Sequence, residues 1–441
     1  MSANLHHEHG ILDEAWANAL SGKKEAALRA SVAMLESDPQ KLGAASLALE
    51  LLTSEGHREV GPVFARLVDA YIRRSDLPSA TAVAAIAKKA GLDAERFYLT
   101  IANAFGKDSA RLADVSIAPP PLPVDVVVGP ELTSLTGESL LVRVEDALDD
   151  LLRVRDPVDE RRKVSVLPLF SALPSTALAR LLSSFELRNV ASGARVIEQG
   201  EEGREAFVVV RGALRAERCV QDAAPEVLAL LGPGAIFGEM ALVSEAPRAA
   251  SVVALEPVQL LAISREGLET IAKTEDAIGR ELSSFCRHRM MTNLVRHSAI
   301  LNAVARPHRD ELMGRFETRV VNAGDVLVRQ GEQASGLFLI ASGAVRVVRE
   351  EDDGDRILLA ELGPGDVVGE ISLVLRRAAT ATVTASHPTV ALHLSPERFQ
   401  EIIREHPALL AELYGIATRR DDETRSVVAQ QALDVEDAVL V

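Results

Sequence analysis

The stretch "LGPGAIFGE", residues 231–239, recurs as "LGPGDVVGE" at residues 362–370, displaced by 131 positions. The same displacement, with no gap, lays Gln199-Gly200-Glu201 on Gln330-Gly331-Glu332, Phe207 on Phe338, Gly212 on Gly343 and Pro257 on Pro388. Chance does not align so many glycines and prolines at one offset, so the chain contains one domain twice. Each copy consists of short runs rich in Val, Leu and Ile, broken by Gly or Pro, such as "EAFVVVRGALRAE" and "GLFLIASGAVRVV". Short strands at regular spacing with turn signals predict a jelly-roll-like β-roll. Gly212 and Gly343 interrupt the long runs and read as turn residues with positive φ.

Helical patterns flank both copies. Ser264 and Ser395 are expected N-caps, with Pro396 at the first helical position and Glu266 and Glu397 in the first turn. Gly267, three residues after Ser264, leaves that helix without a capping box. Residues 1–112 show helical patterns broken at "SGKK", "SDPQ", "SEGH" and "RSDLP". They predict an array of helix pairs, tetratricopeptide-like in layout although the repeat consensus is not matched. Residues 113–160 hold the proline-rich "APPPLPVDVVVGP" and the acidic "VEDALDDLLRV", and read as a linker. The expected organisation is α+β and multidomain: the helical array, the linker, a β-roll domain over 161–305, a second over 306–425, and an acidic tail over 426–441.

Of the 441 residues, 47% are hydrophobic and 25% charged, a globular composition with room for several cores. Aromatics are only 3%, so those cores must be aliphatic. The net charge of −16 argues against nucleic acid or an anionic membrane as partner. No apolar run approaches the ~18 residues that span a bilayer. The N-terminus lacks the basic and apolar segments of a signal peptide. Cys219 and Cys286 provide neither a disulfide framework nor a metal spacing, which points to a reducing cytoplasm. His6, His7 and His9 read as a flexible terminus rather than a metal site. No nucleophile elbow, metal-ligand spacing or P-loop appears, so no catalytic activity and no metal are expected.

The informative chemistry lies in "FGEMALVSEAPRAAS", residues 237–251. Glu239 and Arg248 stand among residues fit for burial, and a buried charge requires a partner or a ligand. An arginine can grip a phosphate with paired charge-assisted hydrogen bonds. A carboxylate would repel phosphate but accepts hydrogen bonds from sugar hydroxyls. A Gly-rich turn entering a short helix offers free N–H groups to an anion. Together these residue types describe a site for a sugar phosphate; a purely structural ion pair is the bland alternative.

Phe237-Gly238-Glu239-Met240-Ala241-Leu242, followed by Pro247-Arg248-Ala249-Ala250-Ser251, resembles the phosphate-binding cassette of cyclic nucleotide-binding domains. The resemblance covers residues 165 to 425, as two tandem domains. It implies that Glu239 accepts the ribose 2′-hydroxyl and that Arg248 holds the exocyclic phosphate oxygens. The N–H groups of Gly238, Ala241 and Ala249 would complete the cradle, with Met240, Ala250 and Ser251 beside them. Alanine at 249, where cGMP-selective relatives carry threonine, favours cAMP, with cGMP as the alternative ligand. The tandem layout resembles the regulatory subunit of cAMP-dependent protein kinase.

The second cassette departs from the pattern. In the ungapped register Gly369, Glu370 and Ile371 match the first copy, but Ala379, followed by Thr380, replaces Arg248. Arg377 would align only through a local gap. The expectation is a degenerate second site. "RRKVS", residues 161–165, places Arg161 and Arg162 before Ser165, as in substrates of basophilic kinases; a basic helix start is the plainer reading. The leading expectation is therefore a non-catalytic receptor acting on a protein partner, of which a protein kinase is one candidate, through residues 161–165 or the helical array. A scaffold with degenerate nucleotide sites is the alternative. A transcription regulator of the catabolite activator type fits less well, because the tail is acidic and too short for a helix-turn-helix. Met290 and Met291, with Phe285 and Leu294 on the helix after the first roll, read as packing residues, with a lid over the base as the alternative role for one of them.

Overall fold

The computed structural model describes residues 10–57, 60–113, 126–153, 164–218, 225–242, 247–351 and 354–439. The chain falls into two compact units. One holds the N-terminal helices and most of the first β-roll up to Phe285; the other runs on from Cys286 and takes in two loop pieces around Gly200 and Arg248.

The N-terminal array comprises α1 (Ile11–Leu20), α2 (Lys24–Ser37), α3 (Leu42–Ser54), α4 (Gly61–Arg73), α5 (Leu77–Lys89) and α6 (Glu95–Phe105). The breaks fall where turn-forming residues interrupt the periodicity. Asp76 caps α5, its Oδ1 accepting the Ser79 N–H at 3.0 Å. The scarcity of aromatics predicts a purely aliphatic core, but Phe64 and Phe105 are fully buried in it beside Leu35, Leu47, Leu52 and Leu67, because the few aromatics gather in this array. α7 (Pro130–Ser134) precedes α8 (Gly137–Arg153), which contains the acidic segment. α8 is amphipathic: Leu140, Val144, Ala147, Leu148 and Leu151 form one buried stripe that packs on α2 and α4. β1 (Leu112–Ala113) pairs in parallel with β2 (Val164–Ser165). Ser165 is buried, and its N–H donates to Ser75 Oγ at 3.3 Å.

The helix α9 (Ser175–Ser183) leads into the first roll. Its strands are β3 (Glu186–Val190), β4 (Arg195–Ile197), β5 (Glu205–Arg211), β6 (Leu214–Arg218), β7 (Glu226–Leu231), β8 (Ile236–Phe237), β9 (Ser251–Ala254) and β10 (Val258–Ser264). They form two antiparallel sheets in the orders β3-β10-β5-β8 and β4-β9-β6-β7, enclosing Val209, Leu214 and Leu260. α10 (Arg265–Ala272) and α11 (Asp276–His297) follow. Ser264 caps α10 through the Gly267 N–H, as its position predicts.

In the second unit come α12 (Ala299–Asn302) and α13 (Arg306–Gly314). The second roll is built from β11 (Glu317–Val321), β12 (Val326–Val328), β13 (Leu337–Ser342), β14 (Val345–Glu350), β15 (Arg356–Leu362), β16 (Val367–Val368), β17 (Thr382–Ala385) and β18 (Thr389–Leu394), with α14 (Glu370–Leu375) between β16 and β17. Its sheet orders, β11-β18-β13-β16 and β12-β17-β14-β15, repeat those of the first roll. α15 (Pro396–Glu405), capped by Ser395, and α16 (Pro407–Val439) complete the chain. Residues 426–439, assigned from sequence to an acidic tail over 426–441, continue α16 as one helix. Met290 and Met291 pack against the core that contains Leu294 and Leu301.

The repeated glycines and prolines face each other. Gly212 has φ +85°, and a Cβ there would lie 2.7 Å from the Pro257 carbonyl oxygen; Gly343, at φ +89°, would meet Pro388 in the same way at 2.6 Å. Each roll thus needs a side-chain-free, left-handed turn where a proline-bearing loop crosses it.

The array and the first roll belong to one unit and share a polar seam. α5 packs on β5 and β3. Glu50 accepts from Asn189 Nδ2 at 2.6 Å and from Gln259 Nε2 at 3.1 Å. Burial pushes the Glu50 carboxyl above its ordinary range, against these two donors and Lys89. Arg211 pairs with Asp13, donates to the Pro257 carbonyl at 2.9 Å, and lies over the Trp16 ring.

Candidate functional site

The first cassette starts where β8 ends. Phe237 stacks on Phe207 of β5 with ring centroids 5.1 Å apart, which anchors β8 in the core. Gly238 then turns the chain through φ +72°, and residues Glu239–Leu242 form one 3₁₀ turn. That turn buries Glu239 to 5% exposure and Ala241 to 4%, while Met240 is half-buried. Glu239 and Leu242 line an apolar cavity with Phe170 and Leu181, from before the roll, and with Ile278, Leu282 and Phe285 of α11. Glu239 thus brings a buried carboxylate, a group able to accept hydrogen bonds, into an otherwise apolar lining. Arg265, the first residue of α10, donates from Nε to the Ala241 carbonyl at 2.8 Å and so ties the short turn to the helix after the roll.

Residues 243–246 lie outside the described residues. Beyond them, the Arg248 N–H donates to the Glu201 carbonyl and the Gly200 N–H to the Arg248 carbonyl, both at 2.9 Å. This pair of backbone bonds fixes the turn that presents the half-buried Arg248. Ala249 is exposed and Ala250 half-buried. Ser251 is 2% exposed, and its Oγ accepts the Gln199 N–H at 2.9 Å, a structural task.

The second cassette repeats the backbone. Gly369 has φ +85°, and a Cβ there would sit 2.3 Å from the Gly336 carbonyl. Ala379 makes the bonds that Arg248 makes: its N–H donates to Glu332 O at 2.8 Å and its carbonyl accepts from Gly331 at 2.9 Å. Thr382 Oγ1 accepts the Gln330 N–H, matching Ser251 and Gln199. The backbone therefore follows the ungapped register, and Ala379, not Arg377, stands where Arg248 stands. Ala379 is buried in the roll's core, while Ile371 and Thr380 are half-buried. A phosphate has no arginine to meet at that position.

Glu370 is 3% exposed and is bonded within the chain. Arg420 of α16 donates to Glu370 Oε1 at 2.9 Å and also to the Val367 carbonyl. Arg377 follows Arg376, which takes the left-handed conformation at φ +53°, and pairs with Asp421. Arg420 and Asp421 escape a reading of the repeat, because they lie some fifty residues beyond the cassette. Their signal is the spacing from Leu409, Leu413, Ile416 and Ala417 on one helical face. Arg265 escapes because the second copy has Pro396 at that position. Among the described residues no group of His, Cys, Asp or Glu is arranged to hold a metal ion. No described helix is long and apolar enough to cross a membrane.

Residues 187–275 and 318–406 both match the cyclic nucleotide-binding domain family. The chain is 29% identical over 235 residues to a cAMP-dependent protein kinase regulatory subunit of Yarrowia lipolytica, covering 53% of this chain and 58% of that one. It is 26% identical over 339 residues to the corresponding subunit of Mycosarcoma maydis, covering 72% and 62%. This chain thus spans about three-fifths of the length of these curated relatives. A crystal structure of the regulatory domain of Toxoplasma gondii PKA with cAMP aligns at 23% identity and a TM-score of 0.28, over 57% of this chain and 92% of the other. The repeat in the sequence is a pair of cyclic nucleotide-binding domains in tandem, in a chain homologous to regulatory subunits of cAMP-dependent protein kinase.

Proposed function

We propose that this chain is a non-catalytic receptor for one cyclic nucleotide, cAMP in preference to cGMP, and that it passes binding on to a protein partner. The observation that carries the reading is the contrast between the two cassettes. Both bury a carboxylate after a left-handed glycine, but only the first has an arginine where the backbone bonds to the Gln-Gly-Glu turn are made; the second has Ala379 there. In this reading Glu239 accepts the ribose hydroxyl, Arg248 pairs with the phosphate, and the N–H groups of Gly238, Ala241 and Ala249 complete the cradle. Ala249 adds no hydroxyl to select guanine. The domains run over 161–305 and 306–425, with the helical residues 1–112 as a further module. Cytoplasmic location goes with the same reading.

A protein kinase is the partner suggested by likeness to the named relatives. Residues 161–163 lie outside the described residues, but Ser165 is buried and backbone-paired in β2. A kinase that reads "RRKVS" must first draw β2 off β1. The helical array offers a surface that needs no such step. Calorimetry on the full chain tests the reading. cAMP should bind at micromolar level or better, about −8 kcal/mol, more tightly than cGMP and with a stoichiometry near one. Absence of heat and of thermal stabilisation with either nucleotide at millimolar concentration overturns it.

A further inference from the structure

α16 carries one inward stripe whose chemistry changes along its length. Leu409, Leu413, Ile416 and Ala417 are buried in the second unit's core. One turn further on the same face presents Arg420, Asp421 and Thr424, of which Asp421 and Thr424 are each only 7% exposed. A helix face that stays inward while becoming charged must be matched by charges opposite.

The degenerate cassette supplies them. Arg420 bonds Glu370 at 2.9 Å and lies 3.7 Å from Asp366. Asp421 takes Arg377 on one oxygen and Arg425 on the other, the latter at 2.8 Å. Two ion-pair triads result: Arg420 of α16 between Glu370 and Asp366, and Asp421 of α16 between Arg377 and its own helix neighbour Arg425. Arg377 Nε is buried and makes no hydrogen bond, so the guanidinium is committed to Asp421 through one edge and has a donor to spare.

We propose that Asp421 is the built-in anion of the second β-roll. Its carboxylate occupies Arg377, where an external anion would otherwise bind, and Arg420 occupies Glu370, where sugar hydroxyls would bind. The roll is a self-liganded domain, closed by its own C-terminal helix and blind to cyclic nucleotide. An external ligand has to displace groups that are already present at the high effective concentration of a tether. It gains no second phosphate contact in return, because Ala379 offers none. The inference goes beyond the receptor reading and stands whether or not the first cassette binds cAMP.

Hydrogen exchange on the full chain carrying Arg248→Ala tests it, because that background removes the first site's arginine and the readout is local to residues 366–380 and 407–425. With Asp421 intact, millimolar cAMP should leave exchange in both segments unchanged. Asp421→Ala should speed exchange in 407–425 by about ten-fold or more, as expected from losing a charge-assisted bond. Millimolar inorganic phosphate should then slow it again, while leaving the Asp421-intact chain unaffected. Asp421→Glu should stay close to the parent. If Asp421→Ala unfolds the second roll, as shown by lost protection in β13 and β18, then Asp421→Asn carries the phosphate comparison. Protection of 407–425 by cAMP with Asp421 intact overturns the proposal. So does unchanged exchange on removing Asp421, or a phosphate response that does not depend on it.

Discussion

At the scale of single residues the two cassettes form a natural substitution experiment. Their backbones superpose bond for bond around Arg248 and Ala379, so the side chain is the variable. A charge-assisted hydrogen bond contributes about 1.5–3 kcal/mol. Arg248→Ala is therefore expected to weaken cAMP binding about 10- to 100-fold or more, with the melting temperature unchanged; calorimetry and a thermal melt read the two quantities. Near-native affinity would remove Arg248 from the site. Gly212 offers a second test. Gly212→Ala meets both backbone strain, at φ +85°, and the Pro257 oxygen, whereas Gly234→Ala has φ +82° and open space. The first should cost more than the second by about 1–3 kcal/mol in denaturant melts. Equal losses would mean that the contact with Pro257 is unimportant. The Gly212 and Pro257 pairing was legible in the sequence as two coincidences at one offset. The Asp421 and Arg377 pairing was not, since a charged residue far along a helix looks the same whether solvated or docked.

Among elements, apolar runs bounded by turn-forming residues located the array's helices and the strands of both rolls, including β13, which is buried along its whole length. Docking between elements left weaker traces. The acidic composition of α8 suggested a solvated linker, yet its five buried apolar residues already had helical spacing. The parallel pairing of β1 with β2 involves two residues a side and has no sequence signature. The seam between array and roll is polar, and Glu50 is its most telling member. Burial raises its pKa above the ordinary 4.5. Its folded state therefore favours the protonated form. The stability it contributes is full below pH 4.5 and is lost as pH rises through the raised folded value. Glu50→Gln should flatten that part of the pH dependence and lose one of the two accepted bonds, because an amide nitrogen cannot accept from Asn189 or Gln259. Melts of the wild type and variant between pH 4.5 and 8 check it. Asp69 and Asp76 are likewise raised by burial, so the difference between the two chains is the relevant quantity. Parallel curves would place the titration elsewhere.

For the whole molecule, the consequence of binding depends on how a small movement in the first cassette reaches the rest of the chain. A ligand shifts a conformational equilibrium only by its differential affinity for the two states. The cassette offers such a difference, because its short 3₁₀ turn carries both the proposed ligand group Glu239 and the packing residue Leu242. Leu242 lines the same cavity as Ile278, Leu282 and Phe285 of α11. Arg265 holds the Ala241 carbonyl and links the same turn to α10. A ligand that draws the turn inward changes the packing available to α11. That helix then runs without a break to Leu294, which is buried in the core of the second unit. On the receptor reading, α11 is the segment expected to respond when the first cassette is occupied. cAMP at saturation should slow hydrogen exchange in residues 280–304 and alter it in residues 164–170, which lead into Phe170 and the same cavity. Arg265→Ala should keep most of the cAMP affinity while reducing the change in 280–304, which separates a transmitting residue from a binding one. Unchanged exchange in both segments, with binding confirmed in the same sample, would leave the chain a passive binder and would exclude α11 as the relay.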